Sequence, residues 1–255
     1  MSDEVLLTIA NSVAEIVLNR PQKLNAVTPE MAATIERFCA EADRNDEVRV
    51  VLLRGAAERA FSAGSDLNSL AEYPTAWKFR NRVEYATAVR DLRKPVVAAL
   101  KGWVLGGGAE MAVSADIRVA GRSMRLGFPE VQRGWVGGGG ASQLLPRLIG
   151  YGQAMRLLLT GEPVDAEEAL RLGLVEILVE DAGVEERARA LCRQLAGYSP
   201  VAVQAVKASV RMALAAPLAA GLVYENEMNT LCFSAGDHME GIRAFREKRA
   251  AEFRR

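Results

Sequence analysis

Residues 94–120 read KPVVAALKGWVLGGGAEMAVSADIRVA, and this stretch decides the fold. PVVAALKG (95–102) opens as a short apolar run rich in β-branched residues, the pattern of a strand buried on both faces. It delivers the chain into Gly106, Gly107 and Gly108, after which AEMAVSA has helical character and DIRVAG (116–121) reads as the next strand. Strand, glycine turn, helix and strand in succession describe an α/β unit with a sheet at its centre.

Working outward, the same grammar recurs. VRVVLLRG (48–55) is a buried strand that ends in the loop FSAGSDL (61–67), and MRLGF (124–128) is a strand candidate leading into PEVQRGWVGGGG. At the start of the chain, VLLTIA and VAEIVLNR alternate around Asn11-Ser12, a hairpin signal. Thr28 followed by Pro29 is a helix start: a side-chain N-cap, then a residue whose N–H is not needed. Residues 68–94 read as loop plus helix. Beyond residue 150 the segments become Ala/Leu-rich and helical, with one strand-like interruption at LVEILVE. The division expected is therefore a ββα body over residues 1–190 and a helical region over 191–255. Val201, Val203, Val206, Val210 and Met212 spread over more than one face of that tail, more than one packing surface needs, and suggest an oligomer interface.

Composition narrows the chemistry. Of 255 residues half are hydrophobic and a quarter charged, which is enough to bury a large core and stay soluble. Thirty-two basic residues balance thirty-two acidic ones, so the chain lacks the basic footprint of a nucleic-acid or anionic-membrane binder. No apolar run approaches a membrane span, and no signal peptide is visible, so a soluble, reducing, cytoplasmic setting is expected. Cys39, Cys192 and Cys232 lie far apart without a CxxC pair, which argues against zinc and against a disulfide framework. The single histidine, His238, stands in a polar stretch without a GxSxG elbow, so a serine or cysteine hydrolase is not expected.

What remains is carboxylate and backbone chemistry. Two small-residue loops, Phe61-Ser62-Ala63-Gly64-Ser65-Asp66 and Leu105-Gly106-Gly107-Gly108-Ala109-Glu110, each follow a buried strand. They could offer two N–H groups to one oxygen, or the glycines could only permit tight strand–helix packing. Neither spells a phosphate-loop or dinucleotide fingerprint. Glu110 lies three residues after Gly107, on the same face of the first helical turn. Glu130 follows Phe128-Pro129 and precedes a second glycine run, Gly137 to Gly140. Two carboxylates facing one site can divide acid and base work; read blandly, Glu110 favours a helix dipole and Glu130 is a solvated loop residue.

Together NRPQKLNAVTPEM, FSAGSDL, residues 94–120, LGFPEVQRGWVGGGGASQLLPRLIG and DAEEALRLGLV resemble the enoyl-CoA hydratase/isomerase, or crotonase, family, in order and over nearly the whole chain. The resemblance implies an α/β, crotonase-like spiral of ββα units with a C-terminal helical trimerisation region, assembled as a homotrimer or a dimer of trimers. It implies an oxyanion hole for a thioester enolate made by the backbone N–H groups of Ser65 and Gly107. Both glutamates of the family's hydratases are retained, as Glu110 and Glu130, which favours a hydratase over an isomerase or a non-catalytic acyl-CoA binder. The substrate would be an acyl-CoA thioester of fatty-acid or related breakdown, with coenzyme A as its handle, so no separate cofactor and no metal are expected. It would lie along Lys23, Leu24 and Ala26 and the strand entering Ala63, with Gly64, Asp66, Leu67 and Gly106 beside it. Gly138 would let the backbone approach the reacting water, and Lys248 would meet the CoA phosphates, in some relatives from a neighbouring subunit. Departures are Gly137 where the family often has proline, Leu144 where it has arginine, and Trp135 beside the acyl pocket, either lining it or part of the core.

Overall fold

A computed structural model of the chain describes residues 3–56 and 58–253. Ten strands are shared between two sheets: β1 (Val5–Ala10), β2 (Val13–Leu18), β3 (Val50–Gly55), β4 (Ala60–Ser62), β5 (Val96–Leu100), β6 (Trp103–Leu105), β7 (Ile117–Gly121), β8 (Arg125–Gly127), β9 (Val164–Asp165) and β10 (Ile177–Val179). β1 and β2 form the expected hairpin, with Asn11 and Ser12 both at positive φ, as a two-residue turn of primed type requires. The larger sheet runs β1-β2-β3-β5-β7-β10 and the smaller β4-β6-β8-β9. Each of three successive strand pairs therefore gives its first strand to the large sheet and its second to the small one. Parallel pairing of β3 with β5, β5 with β7, β4 with β6 and β6 with β8 advances the chain one step per unit, which is the expected spiral.

The helices are α1 (Pro29–Arg44), α2 (Leu67–Ala71), α3 (Ala76–Arg80), α4 (Tyr85–Asp91), α5 (Gly107–Ser114), α6 (Ala141–Ile149), α7 (Tyr151–Thr160), α8 (Ala166–Leu172), α9 (Val184–Ala196), α10 (Pro200–Ala213), α11 (Leu218–Ala235) and α12 (Asp237–Glu247). Thr28 caps α1 by accepting from the Met31 N–H, and Met31, Ile35, Cys39 and Ala42 form its buried stripe. The large sheet is covered on both faces, which explains its continuously apolar strands. Val51, Leu53, Ala98 and Leu100 face the main core, while Val50, Leu52, Val97 and Val119 face Val184, Ala188 and Cys192 of α9.

Two expectations are corrected here. Phe61 and Ser62, read as the start of a loop, belong to Ala60–Ser62, the first strand of the small sheet. The division expected at residue 190 falls inside α9, which packs on the large sheet as part of the body; the next helix begins only at Pro200. α10 is tied to that body by Lys207, whose Nζ donates to the Lys94 carbonyl at 2.7 Å and to Asp116 at 2.6 Å. α11, by contrast, has no buried residue. Among the described residues no helix is long and apolar enough to cross a membrane.

Candidate active site

The parallel pairing of β4 with β6 brings the two glycine turns together. Gly64, at φ +89°, packs so closely that a Cβ there would lie 2.8 Å from the Leu105 carbonyl and 3.0 Å from the Gly107 nitrogen. Gly107 is the first residue of α5, so its N–H has no intrahelical acceptor. Ser65 forms a parallel bridge with Val27, but that bridge uses the Gly64 carbonyl and the Asp66 N–H. The Ser65 N–H is thereby directed away from it. Both residues line one cleft of about 480 Å³, as do Lys23, Ala26, Ala63, Gly64, Asp66, Leu67 and Gly106.

Asn25, unremarked in the sequence, organises this wall. It is fully buried at positive φ, and its side chain donates to the Ala60 and Phe61 carbonyls at 3.0 Å and accepts from the Arg20 N–H at 2.8 Å. Its own carbonyl accepts from Ser62 Oγ, which accepts in turn from the Gly64 N–H. Leu24 does not line the cleft; its carbonyl accepts from the Ala63 N–H at 2.9 Å and so fixes the loop from behind. Asp66 caps α2 and pairs with Arg20 at 2.7 Å, a cation that holds its carboxyl below the usual range. Its acid is thus committed to structure.

Glu110 and Glu130 reach the same cleft from two elements. Glu110, in the first turn of α5, is 3% exposed and accepts from the N–H groups of Ala141 (3.1 Å) and Gly139. Burial pushes its pKa up to about 7 against those two donors, and the nearby carboxylates of Glu130 and Glu84 add to the rise. Glu130 stands in the 3₁₀ turn Pro129–Arg133, with one carboxylate oxygen 3.1 Å from where a Cβ on Gly106 would sit. Burial raises it too, against a backbone hydrogen bond and the Arg133 cation. The two acids therefore share one cleft with Gly106 and Gly107.

The glycines against Glu110 are Gly137 and Gly139, where a Cβ would come within 2.4 and 2.8 Å of its oxygens; Gly138 lines the cleft on the side of Arg82. Trp135 is not core: it is 42% exposed, lines the cleft and packs against Phe79 with ring centroids 5.3 Å apart. Lys248 is exposed at the end of α12 and lies outside its own chain's cleft. At the Leu144 departure, the Leu144 side chain and the Arg90 guanidinium converge on Gly140. Tyr85 was missed by sequence reasoning. Its buried hydroxyl lies 3.0 Å from Ser65 Oγ and against Gly107, and no local spacing could have announced it. His238 stacks on Phe233 between α11 and α12, and burial raises the Cys39 and Cys192 thiols to about 12.

A family model for enoyl-CoA hydratase/isomerase matches residues 8–255. The chain is 36% identical over 255 residues to the short-chain-enoyl-CoA hydratase of Clostridium acetobutylicum, covering 98% of this chain and 97% of that one. It is 35% identical over 259 residues to the (E)-benzylidenesuccinyl-CoA hydratase of Thauera aromatica, covering 98% of each. The crystal structure of an enoyl-CoA hydratase from Bacillus anthracis superposes with a TM-score of 0.92 at 32% identity, again over 98% of both chains. The chain, with its spiral of ββα units around two apposed glycine turns, belongs to the enoyl-CoA hydratase/isomerase family and has the crotonase fold.

Proposed function

We propose that the protein is an enoyl-CoA hydratase, adding water reversibly and syn across the double bond of a trans-2-enoyl-CoA to give the 3-hydroxyacyl-CoA. The observation that carries this reading is that Glu110 and Glu130 line one cleft together with Ser65 and Gly107. The thioester oxygen accepts from the Ser65 and Gly107 N–H groups. As the enolate forms, each such donor contributes about 3–4 kcal/mol to the transition state. Ionised Glu110 takes a proton from water as its oxygen attacks C3, and protonated Glu130 delivers one to C2. One proton is shared between the two acids over the cycle, which suits a Glu110 whose proton affinity the neighbouring Glu130 raises. Coenzyme A is the substrate's handle along Lys23 and Ala26, and this chemistry calls for no further cofactor or metal. Trp135 and Phe79 bound the cleft on the acyl side.

Crotonyl-CoA tests the proposal. The purified protein is expected to bleach the conjugated thioester absorbance, with mass analysis recording one added water. Glu110→Gln and Glu130→Gln should each lower kcat by about 10²–10⁴-fold while crotonyl-CoA binding survives. A product of unchanged mass would identify an isomerase, and full activity in both variants would remove the assignment.

A further inference from the structure

Arg90, on α4, donates from Nη1 to the Gly139 carbonyl at 2.7 Å and from Nη2 to Thr87 Oγ1 at 2.7 Å. Neither acceptor is a carboxylate: this half-buried cation holds one backbone carbonyl and is itself steadied by a hydroxyl one turn back on its own helix. The backbone it holds is the glycine run 137–140, which has no side chains of its own to fix it and includes Gly140 at φ +121°. The run is pressed between two helices. A Cβ on Gly139 would meet Ala86 of α4 and Glu110 of α5, each at 2.8 Å, and one on Gly140 would meet Arg90 Nη1 at 2.8 Å.

The peptide that Arg90 grips joins Gly139 to Gly140. The peptide before it carries the Gly139 N–H and the peptide after it the Ala141 N–H, and both donate to the Glu110 carboxylate. We propose that Arg90 is a positioning residue: by clamping the middle peptide it keeps both N–H donors on Glu110, and so holds that carboxylate in the ionised form that orients water. Its catalytic consequence rests on the hydratase reading above. The other groups facing Glu110 are Glu130 from the 3₁₀ turn and Glu84 and Tyr85 at the start of α4, with Glu84 paired to Arg82 at 3.1 Å. All of them remain when Arg90 is replaced.

Arg90→Met should relax the run and weaken both N–H bonds, which favour the ionised acid, so Glu110 should titrate higher. The readout is the carboxyl titration of the full chain carrying isotope-labelled glutamate, followed by NMR, with the Glu110 signal identified by its loss in Glu110→Gln. We expect the midpoint to rise by about one pH unit, a tenfold change in proton affinity. The acidic limb of kcat/KM for crotonyl-CoA hydration should move with it, with KM unchanged. Should Arg90→Met fail to fold, Arg90→Lys, which keeps the charge and one donor, is expected to shift the midpoint the same way by less. An unmoved Glu110 midpoint in a folded variant overturns the proposal. If the parent does not hydrate crotonyl-CoA the hydratase reading falls, yet the carboxyl titration still decides the role of Arg90.

Discussion

Glu110 has to work against its own surroundings. A base must be ionised, yet this one is 3% exposed, and burial favours the neutral acid. Two N–H donors restrain the rise without cancelling it, which leaves the group titrating at about 7 instead of near 4.5. A raised folded-state pKa means that folding binds the proton more tightly. The corresponding stability is fully present below pH 4.5 and is lost as the pH climbs through about 7. Thermal and urea unfolding of the parent and of Glu110→Gln, compared across pH, should expose this. Relative to the variant, the parent should lose about 3 kcal/mol on going from pH 4 to pH 8. A constant difference over that range would mean that the acid is not desolvated as described. This residue and Glu130 were legible in the sequence because a resemblance marked their positions. Asn25, Tyr85 and Arg90 were not, since each acts on backbone or hydroxyl groups at least 20 residues away in sequence, and only folding reveals its partner.

Between strand and helix, the critical spacing is that of α5 on β4. Gly108 allows it: a Cβ there would lie 2.6 Å from the Ser62 carbonyl and 2.7 Å from the Ser62 Cβ. Two effects oppose each other in Gly108→Ala. Helix propensity favours alanine by up to about 1 kcal/mol, whereas overpacking against a backbone atom costs about 1–3 kcal/mol. The contact is too short for a side-chain adjustment to relieve, so packing should win. The variant is expected to melt lower and, because Gly107 and Glu110 ride on the same helix, to lose turnover by more than its stability change implies. A variant more stable than the parent would show that α5 can slide without penalty. The same elements show why the sequence reading reached one sheet and only one of the four strands of the other. The strands of the large sheet run five or six residues in most cases and declare themselves by uninterrupted apolar character, as in VVLLRG and VVAAL. Those of the small sheet have two or three residues, too few for any periodicity, and β4, β6 and β9 are set by pairing with neighbours alone.

Over the whole molecule, the unsettled quantity is the apolar surface of the C-terminal helices. Val206 and Val210 on α10 are 64% and 61% exposed, and Leu218, Val223 and Phe233 on α11 are 78%, 64% and 69% exposed. Val201, Val203 and Met212, also singled out in the sequence, are half-buried in the single chain. An 18-residue helix without one buried position would not be stable as solvent-facing structure, and its apolar residues call for a partner of like character. The oligomer interface expected from the sequence, in a trimer or a dimer of trimers, would meet that need. Light scattering should therefore find three or six chains per particle, and Leu222→Asp with Val223→Asp should reduce that number by placing charge inside the contact. A monomeric parent would defeat this reading. Assembly would also give Lys248 something to do. It does not line its own chain's cleft, and a grip on the CoA phosphates of a neighbour's substrate would fit that position. Lys248→Ala and the assembly-breaking variant should then raise KM for crotonyl-CoA in the same direction, and adding Lys248→Ala to the dissociated protein should change nothing more. Additive effects would place the lysine's contact within its own chain.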